Sequence, residues 1–160
     1  NMRDTVTVYL RSNTSPYAIM DSAKSVIDSL TFKGNFSFRN SSPGYFYFSV
    51  KHRNCIETWS SYDEYFTSWT PLLYSMTFGS YSAYGNNLKY LAQFRYGMYS
   101  GDIDQDGTVD ATDVSAIDND ASNFVGGYVV TDLTGDNFVD GTDFAMADNN
   151  AANFVSVIQP

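Results

Sequence analysis

The sequence of 160 residues predicts two parts of different fold class, an N-terminal all-β sandwich over residues 1–99 and a small C-terminal α domain over residues 100–160. Strand-length segments rich in aromatic and β-branched residues fill the first part. The net charge changes abruptly after residue 100, and a pattern of 24 residues then occurs twice. A change of composition that coincides with a repeat indicates a module boundary.

Short segments with alternating side chains predict the sandwich. TVTVYLR alternates apolar and polar residues, and FSFRN is separated from GYFYFSVKHR by a Ser-Ser-Pro-Gly turn. CIETWS, EYFTSWT, LLYSMTF and LAQFRYGMY supply further strands, about seven in all. Residues 15–30 are ambiguous, because Ile19, Ala23 and Ile27 fit either a short helix or irregular strands. TVTVYLR can also add a strand to the sheet edge of a neighbouring molecule.

Charge is distributed unevenly along the chain. All nine Lys and Arg residues lie at or before Arg95, against six acidic residues, which gives this part a net charge of +3. From Gly101 onward there are 12 Asp residues and no basic residue, a net charge of −12. The lack of a basic stripe argues against a nucleic-acid partner. No apolar run reaches the roughly 20 residues that span a bilayer, so membrane insertion is not expected.

The acidic part repeats itself at an offset of 30 residues. Residues 102–125 and residues 132–155 are identical at 12 of 24 positions, and four of the shared positions are Asp residues in the first half of the repeat. A solvated acidic loop has no need to keep its side-chain spacing through a duplication. A metal-binding loop does, because each ligand oxygen must reach the same point.

The spacing fits a 12-residue calcium loop of EF-hand type, which takes oxygen ligands from positions 1, 3, 5, 7, 9 and 12. The sequence therefore predicts two Ca²⁺ ions. The predicted ligands of the first loop are Asp102, Asp104, Asp106, Thr108, Asp110 and Asp113. Those of the second loop are Asp132, Thr134, Asp136, Phe138, Asp140 and Asp143. Thr108 and Phe138, at position 7, contribute backbone carbonyls.

The second loop departs from this pattern at two positions. Thr134 replaces a carboxylate, and Asn137 stands where the first loop has Gly107. Asn tolerates the left-handed backbone conformation better than other residues with a side chain, so we expect the turn to be kept. The loss of one carboxylate predicts weaker calcium binding. Val109 and Val139, both at position 8, are expected to contact each other and join the two loops.

Each loop follows extended chain and precedes a segment with apolar residues at helical spacing. The full fold prediction is therefore an all-β sandwich plus a small α domain with two EF-hand-like loop–helix motifs. With this organisation, residues 102–155 resemble the dockerin family, the duplicated calcium modules of secreted bacterial proteins that bind cohesin domains. The resemblance implies a cohesin-like partner. The chain departs from the family at Asp118–Asn119 and Asp148–Asn149, where dockerins tend to carry a basic pair for cohesin recognition.

A second resemblance covers residues 34–53, GNFSFRNSSPGYFYFSVKHR. This stretch is similar to the transthyretin-like, carboxypeptidase-regulatory-like sandwiches, whose signature is a G-x-F-x-F strand, a Pro-Gly turn and an aromatic strand. The whole layout resembles C-terminal regions of large secreted bacterial surface proteins, which implies an extracellular or cell-surface location. Candidate glycosylation positions, whose use the sequence does not decide, are Asn13, Asn35, Asn40, Thr5, Ser22 and Ser29.

Candidate catalytic residues are few. His52 and Cys55 are close in sequence, but a separation of three residues within one strand places them on opposite faces, so we predict a protein that is not an enzyme. Trp59, Trp69 and the many Tyr residues can instead stack on a glycan.

The predicted function is an extracellular calcium-binding structural or assembly protein that joins copies of itself head to tail into a fibre or surface matrix. The alternative is a docking or glycan-binding accessory module of a larger secreted enzyme or adhesin, with a cohesin-like protein or a glycan as its partner.

Overall fold

The structure is a computed structural model and describes residues 4–160. The strands within this range are β1 (Asp4–Ser12), β2 (Ile19–Ile27), β3 (Gly44–His52), β4 (Cys55–Trp59), β5 (Glu64–Phe66), β6 (Lys89–Tyr90) and β7 (Tyr96–Gly97). The helices are α1 (Ala111–Ser122) and α2 (Gly141–Ala152), each of 12 residues. Neither has the length and hydropathy that crossing a bilayer requires.

Five strands form one antiparallel sheet. Four follow one another in the order β2-β1-β3-β4, and β5 pairs with the first part of β3, while β6 and β7 form a separate two-stranded sheet. The ambiguous segment 15–30 contains β2, so it is a strand and not a helix. Strand β1 is paired on both sides, with β2 and with β3. The expectation that TVTVYLR pairs with a neighbouring molecule is therefore wrong, and the open edge of the sheet is β2.

The main hydrophobic core lies on one face of this sheet. Alternation in β1 turns Val6, Val8 and Leu10 to that face, where they pack against Phe46 and Phe48 of β3. This alternation follows from the two-residue period of a strand. Aromatic side chains from outside the two central strands cover the cluster, namely Phe36, Phe38, Phe66 and Tyr74.

The predicted fold class is wrong. A sandwich needs two sheets packed face to face, whereas the chain is a small β-rich fold, 29% strand and 19% helix, with a single main sheet. The aromatic segments that predict extra strands are mostly irregular: residues 36–40 and 72–78 contain no strand, and residues 91–99 contain only the two residues of β7. Their side chains are apolar enough to cover a sheet, but their backbones do not pair into a second one.

The C-terminal residues likewise do not form the predicted small α domain with two EF-hand-like loop–helix motifs. The only two α-helices in residues 4–160 belong to the same β-rich fold. An apolar cluster of Ile56, Val109 and Val155 packs a strand of the sheet against residues beyond the charge step. A backbone contact supports this packing, since Gly101 N–H donates to the Asn54 carbonyl at 2.8 Å. Whether residues 1–99 and 100–160 fold independently stays a prediction.

We expect Ile56→Ala to lower the free energy of unfolding by about 2–5 kcal/mol, because Ile56 is fully buried between the sheet and the C-terminal residues. Urea unfolding monitored by tryptophan fluorescence measures this. Leu73→Ala, at a side chain that is 86% exposed, is the matched control and should change stability by less than about 0.5 kcal/mol. Similar values for the two variants would show that the shared cluster does not stabilise the fold.

Candidate metal site

Three carboxylates converge in the first acidic loop, residues 102–113. Asp102, Asp104 and Asp106 each offer one oxygen, and these oxygens lie within 4.8 Å of one another. Asp102 is buried, whereas Asp104 and Asp106 are exposed. The loop is therefore open to solvent on the side of Asp104 and Asp106 and closed on the side of Asp102.

Asp102 carries an uncompensated charge. The residue is 2% exposed, and its Oδ1 atom is buried without a hydrogen-bond partner among residues 4–160. Burial, followed by the negative charge of Asp113, raises the pKa of the Asp102 carboxyl to about 6. A buried acceptor without a partner costs about 1–3 kcal/mol, and more when the group is charged. A cation beside this oxygen would remove that cost.

Asp113 holds the loop in its closed conformation. Its Oδ1 atom accepts hydrogen bonds from the backbone N–H groups of Ile103 at 2.8 Å and Asp104 at 3.3 Å, and Oδ2 accepts from Asp110 N–H at 3.0 Å. Asp110 is the N-cap of α1 and accepts from Thr112 N–H at 2.7 Å. Asp110 and Asp113 therefore form a capping box, which ties the start of the loop to the start of the helix.

The middle of the first loop pairs with the end of the chain. Gly107 has φ +98°, the left-handed conformation that the turn at position 6 requires. Thr108 bridges to Ser156, and Val109 N–H donates to the Val155 carbonyl at 2.9 Å. The predicted pairing of Val109 with Val139 is therefore wrong. Each loop pairs instead with the segment that follows the opposite helix, because Val139 N–H donates to the Val125 carbonyl at 2.9 Å.

The second acidic loop, residues 132–143, has the same framework but a different interior. Asp143 repeats the bonds of Asp113, accepting from Leu133 N–H at 2.8 Å and from Asp140 N–H at 3.0 Å. Asn137 has φ 73°, which confirms that Asn supports the left-handed turn here.

The carboxylate of Asp132 differs from that of Asp102 because both of its oxygens are bonded. Oδ1 accepts from Gly135 N–H at 2.7 Å and Oδ2 from Asn137 N–H at 3.0 Å. Thr134 brings a hydroxyl, not a carboxylate, to this interior. Within residues 4–160, only the first loop gathers three acidic side chains closely enough for a metal ion.

Asn54, in the two-residue turn between β3 and β4, connects the sheet to both acidic loops. Its carbonyl accepts from Gly101 N–H at 2.8 Å, one residue before the first loop, and its Nδ2 donates to the Asp132 carbonyl at 3.0 Å, at the start of the second. Asn54 is 2% exposed. The sequence analysis did not select Asn54. The one sequence signal for its role is its place in a hairpin turn beside Arg53, because a side-chain amide in a turn can hydrogen-bond the backbone of neighbouring segments.

The same turn corrects the interpretation of His52 and Cys55. They lie on two different strands and face each other in the β3–β4 pairing, with His52 Nδ1 3.3 Å from Cys55 Sγ. His52 Nε2 lies 2.7 Å from Asp4 Oδ2. Cys55, His52 and Asp4 are therefore in contact in that order, the arrangement typical of a cysteine nucleophile with its base. Burial raises the pKa of the Cys55 thiol to about 12, however, and the residue is buried. A buried, protonated thiol is a poor nucleophile.

Asp4 connects the start of β1 to a distant segment of the chain. Burial alone would raise its pKa, but hydrogen bonds from Tyr128 and His52 outweigh burial and lower the pKa to about 2. Arg53 also bonds Asp4, at 3.2 Å, and stacks over the Tyr128 ring at 4.3 Å. The start of β1 is thus tied to the segment between α1 and the second loop.

The residues of the first loop suit a calcium ion. Ca²⁺ takes six to eight oxygen ligands, including carboxylates and backbone carbonyls, with flexible geometry. The converging side chains supply oxygen only, and one of these oxygens is buried without a partner. Asp110 and Asp113 are engaged with backbone amides, but Asp113 Oδ2 and Asp110 Oδ1 each accept one hydrogen bond and so retain a second lone pair for a cation.

No family model, curated protein or solved structure matches this chain. The resemblance of residues 102–155 to dockerins therefore stays an expectation from their sequence, as does that of residues 34–53 to transthyretin-like sandwiches.

We expect Asp102→Asn to have opposite effects without and with calcium. In EGTA the variant should unfold with a free energy about 1–3 kcal/mol higher than the wild type, because a buried uncompensated charge is removed. In millimolar calcium the wild type should gain stability and the variant should not. Thermal and urea unfolding in both conditions measure this. Asp118→Asn, which removes an exposed charge from α1, should leave both values unchanged. A variant less stable than the wild type in EGTA would show that the buried charge of Asp102 does not destabilise the calcium-free fold.

Proposed function

We propose that this protein is an extracellular, non-enzymatic, calcium-binding structural protein that assembles with other copies of itself. The observation that carries the calcium part is the buried oxygen of Asp102, which has no partner within residues 4–160 and lies in a cluster with Asp104 and Asp106. The assembly part rests on the separation of charge along the chain and on exposed aromatic side chains. The non-enzymatic part rests on the pair His52 and Cys55, in which the thiol is buried.

Calcium is favoured over a transition metal by the chemistry of the ligands. Zinc and copper sites draw on thiolate and imidazole ligands. The chain has one His and one Cys, and both lie in the β3–β4 hairpin, outside the cluster of three carboxylates. Magnesium requires near-ideal octahedral geometry, whereas Ca²⁺ accepts irregular sets of carboxylates and carbonyls. A loop that mixes one buried and two exposed carboxylates fits the more adaptable ion.

The bound ions have a structural role in this proposal. Residues 101–160 carry 12 Asp and no basic residue, and two Ca²⁺ ions lower their net charge from −12 to −8. Binding to the folded loop only is equivalent to stabilising the fold, by about 0.4–1.4 kcal/mol per ion when calcium is at one to ten times its dissociation constant. Asn54 touches the start of each loop, so this stabilisation reaches the sheet.

An extracellular setting follows from the expected affinity. Position 12 of each loop is Asp, which is shorter than the Glu usual there, and the carboxylates of Asp113 and Asp143 are engaged with backbone amides. This favours dissociation constants in the range of extracellular modules, about 10⁻⁴–10⁻³ M. Calcium reaches such concentrations outside cells.

Charge separation is the reason to propose self-assembly. The residues before the charge step carry +3 and the later ones −12, so unlike surfaces of two copies attract. Two unlike surfaces make a head-to-tail contact, which produces a ring if it closes and a filament if it does not. Nearly fully exposed aromatic side chains, Phe124 and Phe154, stand at equivalent positions of the acidic repeats and provide apolar contact area.

One observation favours the alternative of a glycan-binding accessory module. A surface cleft beside α2 is lined by the rings of Tyr99 and Phe154, by Lys89 and by the amides of Asn149 and Asn153. Aromatic rings with neutral amides are suited to a sugar, which offers both an apolar face and hydroxyl groups. Binding of a glycan array by the wild type but not by Tyr99→Ala would favour this alternative over assembly.

The two calcium sites should differ in affinity. We expect Asp106→Asn to abolish the tighter of two binding events, because this residue belongs to the cluster around Asp102. Asp136→Asn, the equivalent change in the second loop, should affect only the weaker event. Isothermal titration of calcium into EGTA-treated, dialysed protein separates the two. An equal loss of calcium affinity in the two variants would rule out the ranking of the sites. A wild type that binds no calcium would rule out the proposal itself.

Head-to-tail assembly predicts open-ended growth. At low salt and millimolar calcium we expect light scattering to report particles well above the mass of a dimer, growing with protein concentration. High salt should reverse this, because the attraction between exposed charges is screened. Particles no larger than a dimer under every condition would exclude head-to-tail assembly and leave calcium binding untouched.

A further inference from the structure

Strand β2 is an open edge of unusual length. It lies at the end of the order β2-β1-β3-β4, and no strand within residues 4–160 pairs with its outer side. It has nine residues, and its one irregularity against β1 lies near its start, at Met20, so the stretch from Asp21 to Ile27 is regular. Exposed edges are usually kept short, interrupted by bulges along their length or protected by Pro and several charges. An edge of this kind leaves backbone N–H and C=O groups available for another strand.

The exposed side chains of β2 are apolar at both ends and polar in the middle. Met20 is 54% exposed and Val26 is 50% exposed, and between them Ser22 and Lys24 also face solvent. Asp21 points to the inner face, where its carboxylate accepts from Asn40 N–H at 2.8 Å, so it does not repel an approaching strand. Lys24 is the one charge on the exposed face of the strand.

This pattern is complementary to itself. In an antiparallel pair of β2 strands related by a twofold axis at Ala23, Met20 of one copy lies opposite Val26 of the other, and Ser22 lies opposite Lys24. Both apolar ends are then covered, and no charge faces a like charge. An axis at Lys24 would place two Lys residues opposite each other, and an axis at Ser22 would place Lys24 opposite Met20, so both neighbouring registers are worse.

We propose that β2 pairs with β2 of a second copy of this chain about an axis at Ala23, which forms a closed dimer with one continuous ten-stranded sheet. Such a contact is isologous, because the same surface serves both copies. It differs from head-to-tail assembly, which uses two unlike surfaces, and it does not rest on calcium. Both acidic loops are attached next to β4, at the opposite edge of the sheet, so each end of the dimer carries the two loops of one copy.

Charge variants at Ser22 test both the contact and its register. Sedimentation velocity at moderate salt, with calcium or EGTA, gives the dimer dissociation constant. Ser22→Glu places an acid opposite Lys24 twice and should tighten the dimer roughly two- to thirtyfold, whereas Ser22→Lys should weaken it by a similar factor. The double variant Ser22→Lys, Lys24→Glu restores opposite charges and should recover the wild-type constant or better. Ser68→Lys, the same change at an exposed serine outside β2, is the matched control.

A cross-link gives a second readout that does not depend on charge. Ser22→Cys with Lys24→Cys should form an intermolecular disulfide on mild oxidation, while the wild type should not, because Cys55 is buried. A wild type that remains monomeric to about millimolar concentration would overturn the proposal, since a weaker contact would have no role. Equal dissociation constants for Ser22→Glu and Ser22→Lys would overturn the register about Ala23.

Discussion

A buried carboxylate oxygen without a partner is the constraint on which the acidic half of this molecule depends. The chain after the charge step has no basic residue with which to neutralise Asp102, and folding nevertheless brings Asp104 and Asp106 close to it. Asp113 fixes this conformation through backbone hydrogen bonds from the loop. A framework that concentrates negative charge and leaves one oxygen unbonded is more stable with a cation than without one, which is why calcium binding is the centre of the proposed function.

The β3–β4 turn explains how a metal loop can matter to a β-rich fold. Asn54 bonds the chain just before the first loop and at the start of the second, while Ile56, two residues later, is buried with Val109 and Val155. Polar and apolar contacts therefore join the loops to the same short hairpin. In the proposed dimer the opposite edge of the sheet would carry the contact between copies, so that metal binding and pairing occupy different sides of one sheet.

Local patterns predicted some elements of this fold and missed its architecture. Alternation in TVTVYLR predicted β1, and helical spacing after each acidic loop predicted α1 and α2, because these signals depend only on near neighbours. The sandwich was wrong because aromatic content does not tell a strand from an irregular segment that covers a core, as Phe36 and Phe38 do. The apolar composition of a segment indicates that its side chains are buried, but it does not indicate whether its backbone pairs with a strand.

The candidate site shows the same division. The repeat spacing picked out Asp102, Asp104 and Asp106, which the structure brings together, because loop ligands are close in sequence. It did not identify Asn54, which lies 48 residues before Asp102, or the contact of His52 with Cys55, which depends on a two-residue turn. Nor did it predict that Val109 pairs with Val155, because strand pairing between distant segments leaves no local pattern.

The most direct test of calcium binding is anomalous X-ray diffraction from crystals grown with and without calcium. We expect an anomalous peak about 2.3–2.6 Å from oxygens of Asp102, Asp104 and Asp106, with Asp102 Oδ1 as one of its ligands. The peak should be absent from crystals grown in EGTA. A first loop that keeps its closed conformation at millimolar calcium with no peak, and with Asp102 Oδ1 bonded only to water or protein, would contradict the proposed role of the loop.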